Sequence, residues 1–275
     1  MKKSSRLVKR FFLYFVVIIF LVLFLFPVYI MVTSAFKADV SMFDLPPKWL
    51  FKPSVQNFRN LFSTFDILLY LRNSVVATLS STGISLFLGS LAGYGLARGR
   101  IARKENIAFW MISTRMTPLV GVMLPLYLIF RSIRLIGTLQ SLVVCYTAFN
   151  LPLAIWLMRC FFEEVPKDVE EAAMVDGCNK LQVFVKIALP LVLPGLLATG
   201  VLCFIFSWND YALAVVFTSG KTQTLAVACA RLMTEYGIVW GQVMTMGVFL
   251  VLPVIALGLA ARRYLVEGLT FGALK

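Results

Sequence analysis

Arg115 and Asp210 stand alone in otherwise uncharged apolar stretches, at about 107–130 and 195–217. A charge carried to the middle of a bilayer costs about 2.5–3.5 kcal/mol on insertion scales, so each must face protein or water. On a path through the membrane they would contact the solute together with Trp208 and Asn209. Between helices they would pack, gate or pair with one another, and the residues alone leave both readings open. Catalytic chemistry is poorly supplied. The chain has no His, which removes the commonest general base and the commonest metal ligand together. No Ser-based nucleophile motif is present, and no paired carboxylates occur outside one polar segment, so no catalytic residue and no metal site are expected. Gly220-Lys221-Thr222 imitates the end of a phosphate-binding loop, but G-x-x-x-x-G-K-[ST] requires Gly at 215 and Val215 stands there. The chain is therefore expected to bind no ATP itself. Cys145, Cys160, Cys178, Cys203 and Cys229 include no CxxC pair and read as small apolar residues.

The elements that must position these residues follow from composition. Of 275 residues 60% are hydrophobic and 14% charged, against about 45–50% and 25% in a typical globular domain. Those values exclude a soluble two-domain protein, a disordered chain, a disulfide-knit module and a coiled coil. A helix needs about 20 apolar residues to cross a bilayer. Six windows meet that length, at about 11–33, 75–97, 107–130, 140–158, 195–217 and 243–261. The first is too long for the apolar core of a cleaved signal and should remain as an anchor. The predicted fold class is an all-α polytopic membrane protein with six transmembrane helices.

A net charge of +13 would suggest nucleic acid in a soluble protein, but no nucleic-acid motif is present. In a membrane protein it reports orientation, because Lys and Arg are retained inside. Segments 1–10, 98–106, 159–194 and 262–275 hold sixteen of the 26 Lys and Arg. Both termini are accordingly expected in the cytoplasm, with an external loop at 34–69 and a cytoplasmic tail at 264–275. In the second window Ser81, Ser85, Gly89, Gly93 and Ala97 recur every four residues, forming one stripe on which another helix can pack closely.

The longest polar segment on the predicted inner side is 159–194. Its punctuation divides it into two short helices. Pro166 suits a first-turn position, with Asp168, Glu170 and Glu171 near the positive end of the dipole. Gly177 suits the left-handed residue that follows a helix end. Asn179 and Gln182 form a predicted reciprocal cap for the second helix, which Pro190 and Pro194 should limit. Val169, Ala172 and Ala173 make a shallow apolar face. That face fits a groove on another protein or, equally, a connector lying on the bilayer.

Glu171-Ala172-Ala173, Asp176-Gly177 and Ile187-Ala188-Leu189-Pro190 together resemble the EAA loop, EAAxxDG followed by IxLP, of permease subunits of binding-protein-dependent ABC importers. Ser113-Thr114-Arg115-Met116, Ser207-Trp208-Asn209-Asp210 and the ending Arg263–Leu269 resemble the carbohydrate-uptake, MalG-like branch. The resemblance covers nearly the whole chain, most firmly residues 70–263. It departs at Cys178, where Ala is usual, and at Asp210, where Glu is common. It implies a type I ABC importer permease fold in the cytoplasmic membrane of a bacterium or archaeon, with a second permease subunit as partner. It also implies a cytoplasmic ATPase dimer that carries ATP and Mg, an extracytoplasmic solute-binding protein and a carbohydrate substrate. By the same resemblance, Glu171, Ala172, Ala173, Asp176, Gly177, Ile187, Leu189 and Pro190 couple to the ATPase. An ion-coupled secondary transporter is the competing expectation, with Asp210 as proton carrier. It would leave the pattern from Glu171 to Pro190 without a purpose. A membrane enzyme finds no supporting constellation.

Overall fold

The computed structural model describes the backbone of residues 2–38, 44, 46, 48–234 and 237–271, and side chains within 10–38, 44, 46, 48–233 and 238–264. Residues 39–43, 45 and 47 of the expected external loop lie outside the described residues, as do 272–275 of the expected tail. The side chains of 1–9 and of Leu265–Leu269 are likewise outside.

The chain is helical almost throughout, with one two-residue antiparallel ladder, Met233–Thr234 against Gly237–Ile238. Among the described residues, four helices are apolar and long enough to span a membrane: α1 (Lys2–Ala35), α3 (Ile67–Arg98), α6 (Leu139–Glu164) and α13 (Trp240–Phe271). Between them run α2 (Gln56–Thr64), α4 (Lys104–Ser113), α5 (Leu119–Ser132), α7 (Lys167–Val175), α8 (Lys180–Val183), α9 (Leu189–Leu191), α10 (Leu193–Trp208), α11 (Ala212–Phe217) and α12 (Leu225–Ala230). Counting each of two bent helix pairs as one span gives six. Lys104–Met116 meets Leu119–Ser132 at 90°, and Lys180–Leu191 meets Leu193–Trp208 at 76°.

Two of the six windows contain helix breaks. The third breaks at Thr117, held extended (φ −65, ψ 128) because Pro118 follows and disfavours a helical conformation in the residue before it. A 3-10 turn, Thr114–Met116, carries Arg115 just before the break. The fifth window contains a second interruption, since α10 stops at Trp208 and α11 restarts at Ala212, with Asp210 in the gap. Both intramembrane charges thus sit where a helix is broken. Pro190 also departs from expectation, because the helix runs past it to Leu191 and turns at Val192, before Pro194. The turn Phe184–Ala188 is π-wound, with the Leu189 amide donating to the Phe184 carbonyl. That wider turn takes up the missing amide and the ring of Pro190.

The chain forms two compact units. In the unit comprising 1–67 and 229–252, the Asn57 amide donates to the carbonyls of Ala35 (3.1 Å) and Lys37 (2.8 Å), tying α2 to the end of α1. Phe249 packs edge-on against Phe58 and Phe62. Side chains along α1 from Phe11 to Phe26 are largely exposed in the chain alone, an arrangement that water penalises and acyl chains do not.

In the unit comprising 68–228 and 253–275, α6 is central, touching α4, α10 and α11. The stripe on α3 lies along it. A Cβ on Gly89 would fall 2.7 Å from Ala154 Cβ, and one on Gly93 would fall 2.8 Å from the Arg159 amide nitrogen. Farther along, Ser81 Oγ lies 3.3 Å from Ser207 Oγ, and Asn150 Nδ2 donates to Ser207 Oγ at 2.8 Å. Small residues here let backbones meet without intervening side chains.

Candidate functional site

Within residues 159–194, between the end of α6 and the start of α10, α7 and α8 are joined by a turn set by Gly177. Its φ is +92°, a conformation that L side chains rarely adopt. The Cys178 amide donates to Ala173 O at 3.0 Å and the Gly177 amide to Met174 O at 3.1 Å. This pair of bonds is the Schellman arrangement, which satisfies carbonyls that a helix end otherwise leaves open. A Cβ at Gly177 would meet nothing within 4 Å, so backbone conformation, not space, requires glycine. Asn179 and Gln182 cap α8 reciprocally, each side chain bonding the other residue's amide at 2.9 Å. Pro166 is the residue before α7 rather than its first.

The two faces of α7 differ from the sequence expectation in one respect. Ala173 is buried and packs inward, while Ala172, Val169 and Glu171 face out with Asp176 and Gly177. Ile187 and Leu189 are half-buried and Pro190 is exposed. Ala188 between them is fully buried, in a cluster with Met158, Phe162, Phe184 and Val192.

Glu170 carries an unexpected role. Its Oε1 receives Arg98 Nε at 2.9 Å and lies 2.8 Å from Arg98 Nη2, and its Oε2 accepts from Tyr94 OH at 2.8 Å. Arg98 Nη2 also donates to the Val165 carbonyl at 2.7 Å, at the end of α6. The pair is buried, with side-chain exposures of 13% for Arg98 and 6% for Glu170. Removing one partner from such a pair costs about 3–5 kcal/mol, because the other charge is left uncompensated. In the sequence Glu170 offers only an acid in a first helical turn. Its neighbour Tyr94 is wedged between the rings of Phe162 (5.1 Å) and Phe184 (5.0 Å). A second buried cation, Arg159, donates to Glu163 on its own helix (2.9 Å) and to Glu105 at the start of α4.

The intramembrane charges share a cavity of about 210 Å³ with Tyr146, Asn150, Ser207 and Phe206. They are not an ion pair. The Asp210 carboxylate caps α11 instead, accepting from the amides of Leu213 and Ala214, each at 3.1 Å. The Arg115 guanidinium lies over the Phe206 ring, 4.2 Å from its centroid, and its Nη1 is buried without a hydrogen-bond partner. Trp208 is buried and stacked on Phe204 (5.5 Å), and the Asn209 side chain donates to its own helix at Ile205. Neither lines this cavity, whose polar lining includes Tyr146, Asn150 and Ser207.

Comparison with known proteins agrees with this geometry. The family described as binding-protein-dependent transport system inner membrane component matches residues 85–270. A probable ABC transporter permease protein of Sinorhizobium fredii is 36% identical, over 92% of this chain and 91% of that protein. The trehalose/maltose transport system permease protein of Thermococcus litoralis is 30% identical, covering 98% of this chain and 99% of its own length. Among solved structures, a chain of a bacterial ABC transporter that imports the acidic polysaccharide alginate superposes with a TM-score of 0.78 at 22% identity, over 94% of this chain and 97% of that one. The structural likeness shows the importer-permease fold, and the family match and the permease relatives favour an ABC importer over an ion-coupled transporter. The chain belongs to the binding-protein-dependent transport system inner membrane component family and is a multi-pass permease subunit of an ATP-driven ABC importer.

Proposed function

We propose that this subunit forms half of the translocation pathway for a sugar or related carbohydrate in a bacterial or archaeal cytoplasmic membrane. The two termini and the α7–α8 segment then lie on the cytoplasmic side. A related second permease completes the pathway, an extracytoplasmic solute-binding protein delivers the substrate, and a separate ATPase dimer holds ATP and Mg. The carbohydrate reading is supported by the transport named for the Thermococcus litoralis relative.

One observation carries the coupling role: the outward face of α7, with Glu171 and Ala172, is followed by a turn fixed at Gly177 and left unencumbered. A small apolar face beside a rigid corner seats in a protein cleft and gives an angular push a fixed direction. A recess of about 610 Å³ between the end of α3 and α7–α8 gives partner side chains room to enter, which a connector lying flat on lipid does not require. Glu171 supplies a charge to a basic or amide partner, and Asp176, Ile187, Leu189 and Pro190 complete the segment that the family pattern assigns to coupling. Arg115 and Asp210, with Tyr146, Asn150 and Ser207, offer polar groups to a hydroxylated solute at the helix breaks.

The test is recovery of the tagged chain from its own host in mild detergent, followed by reconstitution. An ATPase, a sister permease and a solute-binding protein should come with it, and uptake into liposomes should require ATP and survive ionophores. Recovery of the chain alone, beside a control complex that survives, defeats the reading.

A further inference from the structure

We infer that Arg98, Glu170 and Tyr94 form a clamp that transmits displacement of α7 into α3, making Glu170 the positioning residue for coupling. This rests on the docking of α7 to an ATPase proposed above. A push on α7 has two routes into the membrane. Along the chain it must pass Val165 and Pro166, whose ψ angles of 125° and 129° make an extended, non-helical joint. Across space it passes through the buried Glu170 carboxylate directly to the end of α3. The second route is the stiffer one, because Arg98 holds Glu170 and the Val165 carbonyl at once, pinning both sides of the joint to one guanidinium. Hydrogen bonds to ionised groups are the strong ones, and two nitrogens converging on one carboxylate oxygen fix direction as well as distance.

The receiving element suits this task. Helix α3 is 32 residues long, about 48 Å at 1.5 Å per residue. It lies against α6 at Gly89 and Gly93, where the nearest atoms are the α6 backbone and the Cβ atoms of Ala154 and Met158, and it reaches Ser207, a cavity residue, through Ser81. A displacement of Arg98 therefore arrives beside Arg115 and Asp210 without being absorbed by rotamer changes. Glu171, one residue along, points out and belongs to the partner surface. The two adjacent carboxylates divide the work, one facing the ATPase and the other facing α3.

The experiment uses the whole importer in nanodiscs. It measures ATP hydrolysis with and without the solute-binding protein recovered with it, and reads the stimulation ratio. Glu170→Gln keeps the size and loses the charge, Arg98→Lys keeps the charge and loses the fork, and Tyr94→Phe removes one hydroxyl. With complex recovery unchanged, the ratio should fall by about tenfold in Glu170→Gln and about two- to tenfold in Tyr94→Phe, while basal hydrolysis persists. A purely structural role would lower recovery and basal activity together and leave the ratio as it was, which overturns the inference. If Glu170→Gln reduces recovery, Tyr94→Phe decides, since one hydroxyl at the edge of a packed ring pair does not unfold the unit. A wild-type complex that lacks an ATPase or shows no stimulation refutes the docking reading itself, and this clamp with it.

Discussion

Replacing Gly177 isolates backbone geometry from packing, because the position is strained for any other residue yet surrounded by open space. At φ +92° a residue with a Cβ is held in a sparsely populated region at a cost of about 1–3 kcal/mol. That corresponds to about a 5- to 150-fold loss in the population of the bent arrangement of α7 and α8. The side chain decides the position within that range. Asn tolerates left-handed conformations and should be mildest, Ala intermediate, and Val worst because its branched Cβ makes a positive φ an outlier. No steric term enters, so insertion and abundance in the membrane should match wild type in all three variants. The assay is uptake per ATP hydrolysed by the reconstituted importer, with membrane abundance measured in parallel. Uptake per ATP should fall in the order Asn, Ala, Val while hydrolysis continues. Full coupling in Gly177→Val, or equal losses in all three, would refute the argument that the corner angle is what the segment contributes.

Three further outcomes follow from the membrane-embedded residues. Gly93→Val places atoms 2.8 Å from a backbone nitrogen and 2.9 Å from Met158 Cβ, so it should cost about 1–3 kcal/mol and lower the melting temperature in detergent. Gly95→Ala, with nothing within 4 Å, should match wild type or gain up to about 1 kcal/mol from helix propensity, in the same melting assay. Asp210→Asn keeps an acceptor for the amides of Leu213 and Ala214, whereas Asp210→Ala leaves them open at a cost of about 1 kcal/mol. If Asp210 serves the pathway, the Asn variant should retain the melting temperature and lose uptake or change substrate preference. Unaltered rate and preference would remove Asp210 from the pathway.

Capping, turns and crossing lengths were legible because they are local. The bond pair between Asn179 and Gln182 depends on residues three apart, and the stripe from Ser81 to Ala97 depends on a single helical period. The breaks at Thr117 and Asn209–Tyr211 do not show in hydropathy, because its average over twenty residues is unchanged when the backbone turns inside the window; Pro118 marks the first, and the second has no such mark. Glu170 and Glu171 could not be told apart for a related reason. Adjacent residues on a helix point about 100° apart, and which one is buried depends on where α3 ends, 72 residues earlier in the chain. Arg115 and Asp210 were found by their charge, but their neighbours in the cavity come from four separate helices, α5, α6, α10 and α11, that only tertiary packing assembles.

The seam between α3 and α6 also governs how this sequence can drift over evolutionary time. At Gly89 the closest obstacle to a methyl group is the methyl of Ala154, so an exchange of alanine and glycine between the two helices relieves that contact. At Gly93 the closest obstacle is the Arg159 backbone nitrogen, which no side-chain replacement removes. Two glycines one helical turn apart therefore have different histories open to them. The first can change hands with its neighbour as a covarying pair, and the second is fixed for as long as these helices keep their spacing.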